Sequence, residues 1–180
     1  MFKLLIIDID GVMTDGTKYY NNAGEVVLKQ YKDTDFTAIK MFKKLGIKVC
    51  FLSGDTKINK TMAHNRRIDF WDARLKDGSM DKIAVFKRII KHYDVDESEV
   101  AYVGDDLYDI PLLRRCFSYS HCPYDAPQLV QYECKYISRA KCGQGVIMDM
   151  FQMWSGDFRN ELPLSMCYES EAEAELNNDK

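Results

Sequence analysis

Phe2-Lys3-Leu4-Leu5-Ile6-Ile7-Asp8-Ile9-Asp10-Gly11 begins with a short, β-rich apolar run that stops at two carboxylates and a glycine. The run reads as a strand, and the segments after it decide the kind of sheet it enters. Residues 36–45 place Phe36, Ile39, Phe42 and Leu45 at helical spacing, and residues 47–52 return to a strand pattern. Residues 57–67 read as a polar helix. Residues 81–93 carry Ile83, Phe86, Ile89, Ile90 and Tyr93 along one helical stripe, and residues 100–103 are the next strand. After Asp109 come a short helix through Arg115, the segment 117–120, a Pro-flanked helix at 126–132 and a last short strand around Tyr136-Ile137. Strands alternating with helices require crossover connections, which predicts an α/β fold with a mainly parallel central sheet and helices on both faces. In such sheets ligands bind outside the carboxyl ends of the strands.

One segment interrupts the alternation. Lys18-Tyr19-Tyr20, the turn-forming Asn21-Asn22-Ala23-Gly24 and residues 25–31 read as a β-hairpin inserted after the first strand, overhanging its end. Residues 1–154 are expected to form one domain. Residues 155–180 lose apolar periodicity and become acidic, reading as a flexible tail or a solvated helix.

Composition narrows the partners. The 180 residues carry a net charge of −3, and their lysines are spread out, which argues against gripping a nucleic-acid backbone. The apolar N-terminus meets Asp8 and Asp10 too early for a signal peptide, and no apolar run approaches the roughly 18 residues of a membrane span. A soluble, cytoplasmic protein is expected. The cysteines Cys50, Cys116, Cys122, Cys134, Cys142 and Cys167 form no C-x-x-C pair and read as reduced thiols. His64, His92 and His121 lack ligand spacing and read as surface residues.

Asp8 and Asp10, two apart on an extended chain, point the same way, a repulsion that calls for a cation. Alone, the pair serves equally well as a polar strand end or a turn into Gly11. Ser53-Gly54 closes the second strand run, and Gly104-Asp105-Asp106, with Asp109 following, closes the run at 100–103. Lys82 starts its helix without a place in the apolar stripe. Each of these has a bland account as a cap, a turn or a surface residue, but together they converge on one sheet edge. Phosphoryl transfer to an aspartate fits them. Asp8 would be the nucleophile, Asp10 the acid and then the base, and Ser53 and Lys82 the groups holding the phosphoryl oxygens. Asp8, the Asp10 carbonyl and Asp105 would bind the metal, with Asp109 orienting metal-bound water. An all-oxygen set of this kind favours Mg2+.

With Asp8-Ile9-Asp10-Gly11-Val12-Met13-Thr14-Asp15-Gly16, Ser53-Gly54, Lys82 and Gly104-Asp105-Asp106-Leu107-Tyr108-Asp109 in this order, the chain resembles the haloacid dehalogenase superfamily of phosphatases. Thr14-Asp15-Gly16, the hairpin and Gly143-Gln144-Gly145-Val146 resemble its small capless branch, which acts on octulosonate 8-phosphate and nonulosonate 9-phosphate. The resemblance implies a Rossmann-like three-layer fold without a cap domain, a sugar-acid phosphate substrate, and a homotetramer in which hairpins pack together and a neighbour helps close each site.

Departures from the branch bear on substrate. Asp55 replaces the arginine usual in octulosonate enzymes and either caps the helix from Lys57 or pairs with Arg66 or Arg67, the nonulosonate pattern. Lys18, Lys29, Arg66 and Arg67 are candidates for the sugar carboxylate, and Gly54, Asp55, Lys29, Arg66 and Asp35 for substrate contact. Phe36 and Met148 stand where the branch has a small residue and an arginine, features that would suit a binding or regulatory module with lost catalysis, or another small phosphoester.

Overall fold

The computed structural model describes residues 2–155. The elements in chain order are β1 (Leu4–Ile7), the hairpin β2 (Tyr19–Tyr20) and β3 (Val26–Leu28), α1 (Asp33–Lys44), β4 (Lys48–Ser53) and α2 (Ile58–Asn65). They continue with β5 (Asp69–Asp72), α3 (Lys82–Tyr93), β6 (Val100–Val103), α4 (Ile110–Arg115), β7 (Ser120–Cys122), α5 (Gln128–Tyr132), β8 (Tyr136–Ile137) and α6 (Val146–Ser155). Six strands form one parallel sheet in the order β5-β4-β1-β6-β7-β8, and the hairpin is a separate antiparallel pair.

The two-residue period of a strand sorts β1, β4 and β6 onto two cores. Leu5, Ile7, Val49, Phe51, Ala101 and Val103 face one layer with Phe36, Ile39 and Phe42 of α1, Ala63 of α2, and Val146, Ile147 and Met150 of α6. Leu4, Ile6, Cys50, Leu52, Val100 and Tyr102 face the other with Val85, Phe86 and Ile89 of α3, Leu112 and Leu113 of α4, and Val130 of α5. Burying each such aliphatic side chain contributes roughly 1.5–3 kcal/mol, which the lost chain entropy partly offsets. The expected three-layer fold is therefore present, with a hairpin where a cap domain would stand. Among the described residues no helix is long and apolar enough to cross a membrane.

Several expectations need correction. Residues 117–119 form a 3-10 turn, and the strand begins at Ser120. β5 went unread because its Phe-Trp pair is flanked by Asp69 and Asp72 and it lies at the sheet edge, only half covered. α6 went unread because its cap is remote in sequence: the Asp35 carboxylate accepts from the N–H groups of Ile147 and Met148, both at 2.9 Å. Asp35 is thus a buried structural acceptor, removed from substrate contact. Burial drives its carboxyl up to about 6 against the lowering pull of those N–H groups. Phe36 is a core residue between Tyr31 and Arg66 and lies outside the cleft at the carboxyl edge of the sheet.

His121 is buried too. Its Nδ1 lies 3.1 Å from the Tyr119 carbonyl, and its Nε2 accepts from Trp154 Nε1 at 3.2 Å. Its ring stacks on Tyr136, and burial holds its pKa down at about 4. The five described cysteines are all unpaired. Apart from Ser155, which ends α6, the tail at 155–180 lies outside the described residues, as does Cys167.

Removing the remote cap tests how far α6 depends on α1. Asp35→Ala leaves two helix N–H groups, one buried and one part-buried, without an acceptor and is expected to cost about 1–3 kcal/mol in urea unfolding. Asp35→Asn, which keeps an oxygen, is expected to cost less.

Candidate active site

The middle of the sheet is where strand order reverses, with β1 flanked by β4 and β6. Ile7 is in register with Phe51 and Val103, so the chain leaves all three strands side by side and delivers Asp8, Ser53 and Asp105 to one edge. A cleft of about 460 Å³ opens there, lined by Asp8, Asp10, Ser53, Gly54, Lys82 and Asp106 among others.

Lys82 occupies the first turn of α3, whose start is set by Asp81: its carboxylate accepts from Ala84 N at 2.9 Å. From there the buried ammonium reaches Asp8 Oδ1 at 3.1 Å and Asp109 Oδ1 at 2.6 Å. Asp109 is fully engaged. Tyr102 donates to it at 2.5 Å, and the backbone N–H groups of Asp105 and Asp106 donate to Oδ2 at 3.1 and 3.0 Å. Asp105, by contrast, keeps a buried Oδ1 without a hydrogen-bond partner.

Close packing of backbone on carboxylate explains two glycines. A Cβ on Gly11, at φ +94°, would stand 1.9 Å from Asp105 Oδ2, and one on Gly104 would stand 2.5 Å from Asp109 Cγ. Neither contact is possible, so both positions exclude side chains to let the acids approach.

Asp8, Asp105 and Asp109 each bring an oxygen within 4.8 Å of the others. Burial, with the neighbouring carboxylates adding to it and Lys82 opposing it, pushes Asp8 up to about 7. Burial first, then Asp8 and Asp109, pushes Asp105 up to about 8. For Lys82 burial works against the charge, but Asp8 and Asp109 outweigh it and raise the pKa. Hard oxygen donors, an orphaned buried oxygen and surplus negative charge fit a divalent cation such as Mg2+.

A second network lies beside the first. Lys29 is buried, with Nζ at 2.7 Å from Asp10 Oδ1, 2.6 Å from Asp55 Oδ2 and 3.0 Å from Asn59 Oδ1. Asn59, which no sequence motif singles out, is the hub. Its Nδ2 donates to Asp10 Oδ2 at 3.1 Å and Ser53 Oγ at 3.0 Å, while its Oδ1 also accepts from Tyr31 at 2.8 Å. The only signal available in the sequence is a polar residue at the position of α2 that turns inward beside Ala63.

Asp55 both turns the chain into α2, accepting from Lys57 N at 3.1 Å, and pairs with Lys29. Burial resists its charge, but the Lys29 bond prevails and lowers its pKa. The expected Asp55–Arg66 or Asp55–Arg67 pair is not formed. Arg66 stacks on Phe36 at 4.1 Å and pairs with Asp33, so it does not line the cleft. The Arg67 carbonyl accepts from Lys43, and Arg67 lies outside the cleft as well. Lys18 does line it, 3.8 Å from Asp10 Oδ2. Met148 sits on α6, away from the cleft.

Comparison with known proteins agrees with this geometry. A family model described as haloacid dehalogenase-like hydrolase matches residues 19–116. The 3-deoxy-D-manno-octulosonate 8-phosphate phosphatase of Yersinia pestis is 31% identical over 82% of this chain and 76% of its own length. The chain belongs to the haloacid dehalogenase-like hydrolases. The cobalt-bound octulosonate 8-phosphate phosphatase of Haemophilus influenzae superposes with a TM-score of 0.78 at 30% identity, covering 86% of this chain and 88% of that one. A Moraxella catarrhalis enzyme of the same name, in complex with magnesium, phosphate and KDO, shares the fold at 23% identity and a TM-score of 0.75, covering 86% of each chain. The expected enzyme class and capless fold stand.

The carboxylate cluster makes stability depend on pH with a definite sign. Asp8 near 7 and Asp105 near 8 hold protons in the folded state that an unfolded carboxylate near 3.8 has released. Folded protein thus binds the extra protons, and stability falls as pH rises through those values. In thermal unfolding, the metal-free protein is expected to lose stability progressively from about pH 4 to about pH 8 and to level off above that, with added Mg2+ stabilising it most at the upper end of the range.

Proposed function

We propose that this chain is a magnesium-dependent phosphatase of sugar-acid phosphate monoesters, of the octulosonate 8-phosphate or nonulosonate 9-phosphate type. The observation that carries the reading is Asp8 in the company of Lys82, Asp105 and Ser53 at one sheet edge. Kinship with octulosonate 8-phosphate phosphatases supports the substrate class, and the cobalt-bound relative supports a divalent cation.

Phosphate monoesters hydrolyse slowly because their own charge repels a nucleophile. Mg2+ held by Asp8, Asp105 and the Asp10 carbonyl would supply charge neutralisation at the phosphoryl oxygens, with Asp109 holding Lys82 and the Asp105 backbone in place. Asp8 attacks phosphorus and becomes an aspartyl-phosphate, while Asp10 protonates the departing alkoxide. Asp10 then takes a proton from the water that hydrolyses the aspartyl-phosphate, restoring both residues. Ser53 Oγ and the Lys82 ammonium face the phosphoryl oxygens. Asn59 holds Ser53 and Asp10 in one orientation, so acid and phosphate-binding group move as a unit.

The features that suited a binding module lose their force, since Phe36 belongs to the core. The exposed apolar residues of the hairpin, Tyr19, Tyr20, Val27 and Leu28, support its packing against other copies in a homotetramer. The unpaired thiols support a reducing, cytoplasmic setting.

Turnover of 3-deoxy-D-manno-octulosonate 8-phosphate and a nonulosonate 9-phosphate with Mg2+, against an Asp8→Asn control and an EDTA-treated sample, tests the reading. Release of phosphate above the control on at least one is expected; equality with the control on both rejects it. Asn59→Ala is expected to lower kcat by about 10- to 100-fold with little change in Mg2+ affinity, measured by steady-state kinetics and metal titration.

A further inference from the structure

We infer that Arg74 is the specificity-determining residue that binds the carboxylate of the leaving sugar acid, an assignment that rests on the sugar-acid phosphatase reading. The cations lining the cleft differ in what they already hold. Lys82 is committed to Asp8 and Asp109, Lys18 lies 3.8 Å from Asp10, and Lys57 lies 3.4 Å from Glu25. Lys29 behind the wall is shared among Asp10, Asp55 and Asn59. Arg74 lines the same cleft; its backbone N–H donates to Asp72 Oδ1 at 2.8 Å, but among the described residues its guanidinium has no carboxylate partner.

Its side chain is nevertheless held. Arg74 Nε donates to the Gly54 carbonyl at 2.9 Å, which ties the guanidinium to the residue after Ser53 and leaves both Nη groups without a hydrogen-bond partner among the described residues. That is the fork a carboxylate accepts in a bidentate pair. The backbone carrying it is pinned as well. Ala73 N donates to Ser53 O at 3.0 Å and Asp81 N to Ala73 O at 3.0 Å, while Arg74 and Met80 form an antiparallel bridge. Leu75 N bonds Ser79 O at 2.7 Å across the tip. The Met80 methyl lies over Gly54 so closely that a Cβ there would be 2.7 Å from it.

The segment 74–80 thus forms a small flap whose two cleft-facing residues flank Gly54, next to the group expected to hold phosphate. One end of the substrate would be fixed by Ser53 and Lys82, and the anionic group of the leaving alcohol by Arg74. A cleft of about 460 Å³ is of the size that encloses a small ligand. Four carboxylates line it, Asp8, Asp10, Asp55 and Asp106, so a second anion on the substrate needs a dedicated cation to be accepted.

The test compares wild type, Arg74→Ala and Arg74→Lys on 3-deoxy-D-manno-octulosonate 8-phosphate and on two esters without a carboxylate, arabinose 5-phosphate and p-nitrophenyl phosphate. Binding of free 3-deoxy-D-manno-octulosonate is measured by calorimetry. Arg74→Ala is expected to raise KM for the octulosonate ester about 10- to 100-fold, with kcat and both carboxylate-free esters changed by less than about threefold. Free octulosonate binding is expected to weaken in parallel, with partial recovery in Arg74→Lys. Equal effects on all three esters, no effect on any, or unchanged octulosonate binding overturns the assignment. If wild type turns over neither these esters nor a nonulosonate 9-phosphate above Asp8→Asn, the phosphatase reading fails, and the binding measurement still decides Arg74 by itself.

Discussion

The electrostatics at the carboxyl edge of β1 constrain most of what surrounds it. Asp8, Asp105 and Asp109 crowd their oxygens within 4.8 Å, and Lys82 is the buried ammonium that meets two of them. At about 4 Å a like-charge pair costs roughly 4 kcal/mol at an effective dielectric near 20, so one lysine offsets only part of three mutual repulsions. Protons taken up by Asp8 and Asp105, or a divalent cation, must offset the rest. The local architecture follows from holding the acids there regardless. Gly11 and Gly104 lack side chains because carboxylates fill the space, Asp81 caps α3 so that Lys82 emerges beneath them, and Tyr102 turns its hydroxyl into the core to bind Asp109.

That environment also separates the two acids of the Asp8-Ile9-Asp10 step. Asp8 lies in the buried, carboxylate-rich side with its pKa drawn up to about 7, while Asp10 faces the cleft between Lys29, Lys18 and Asn59. Two carboxylates placed in such different surroundings suit different tasks, as the proposed nucleophile and acid require. This division requires a second buried cation, Lys29, whose three partners leave it no capacity for substrate.

The legible parts of the molecule were those whose cause is local. The apolar runs of β1, β4 and β6 end in polar groups at adjacent positions in sequence, so the edge carrying Asp8, Ser53 and Asp105 was readable before any geometry. What escaped depended on partners far along the chain. α6 is capped by Asp35 across a sequence gap of 112 residues, Asn59 is polar yet buried because Lys29 and Tyr31 of the hairpin arm reach it, and His121 is buried because Trp154 of α6 covers it. Arg66 was read as a substrate residue from the branch's pattern of a basic residue one helix after Asp55, but its guanidinium stacks on Phe36 and pairs with Asp33, outside the cleft.

Without a cap domain the cleft must be walled by short excursions from the sheet, and the chain supplies two. The hairpin arm delivers Lys18 and Lys29 from one side, and the 74–80 flap delivers Arg74 and Met80 from the other. Their charges are not equivalent. The hairpin's lysines pair with acids of the protein itself, while the flap's arginine side chain pairs with none; on the proposed reading the first side would set up Asp10 and the second would face the ligand. Such an asymmetry would keep catalysis and recognition on separate supports. On the proposed reading the phosphoryl group would meet residues anchored in the sheet and the variable part of the substrate a loop, where replacement leaves the carboxylate cluster intact.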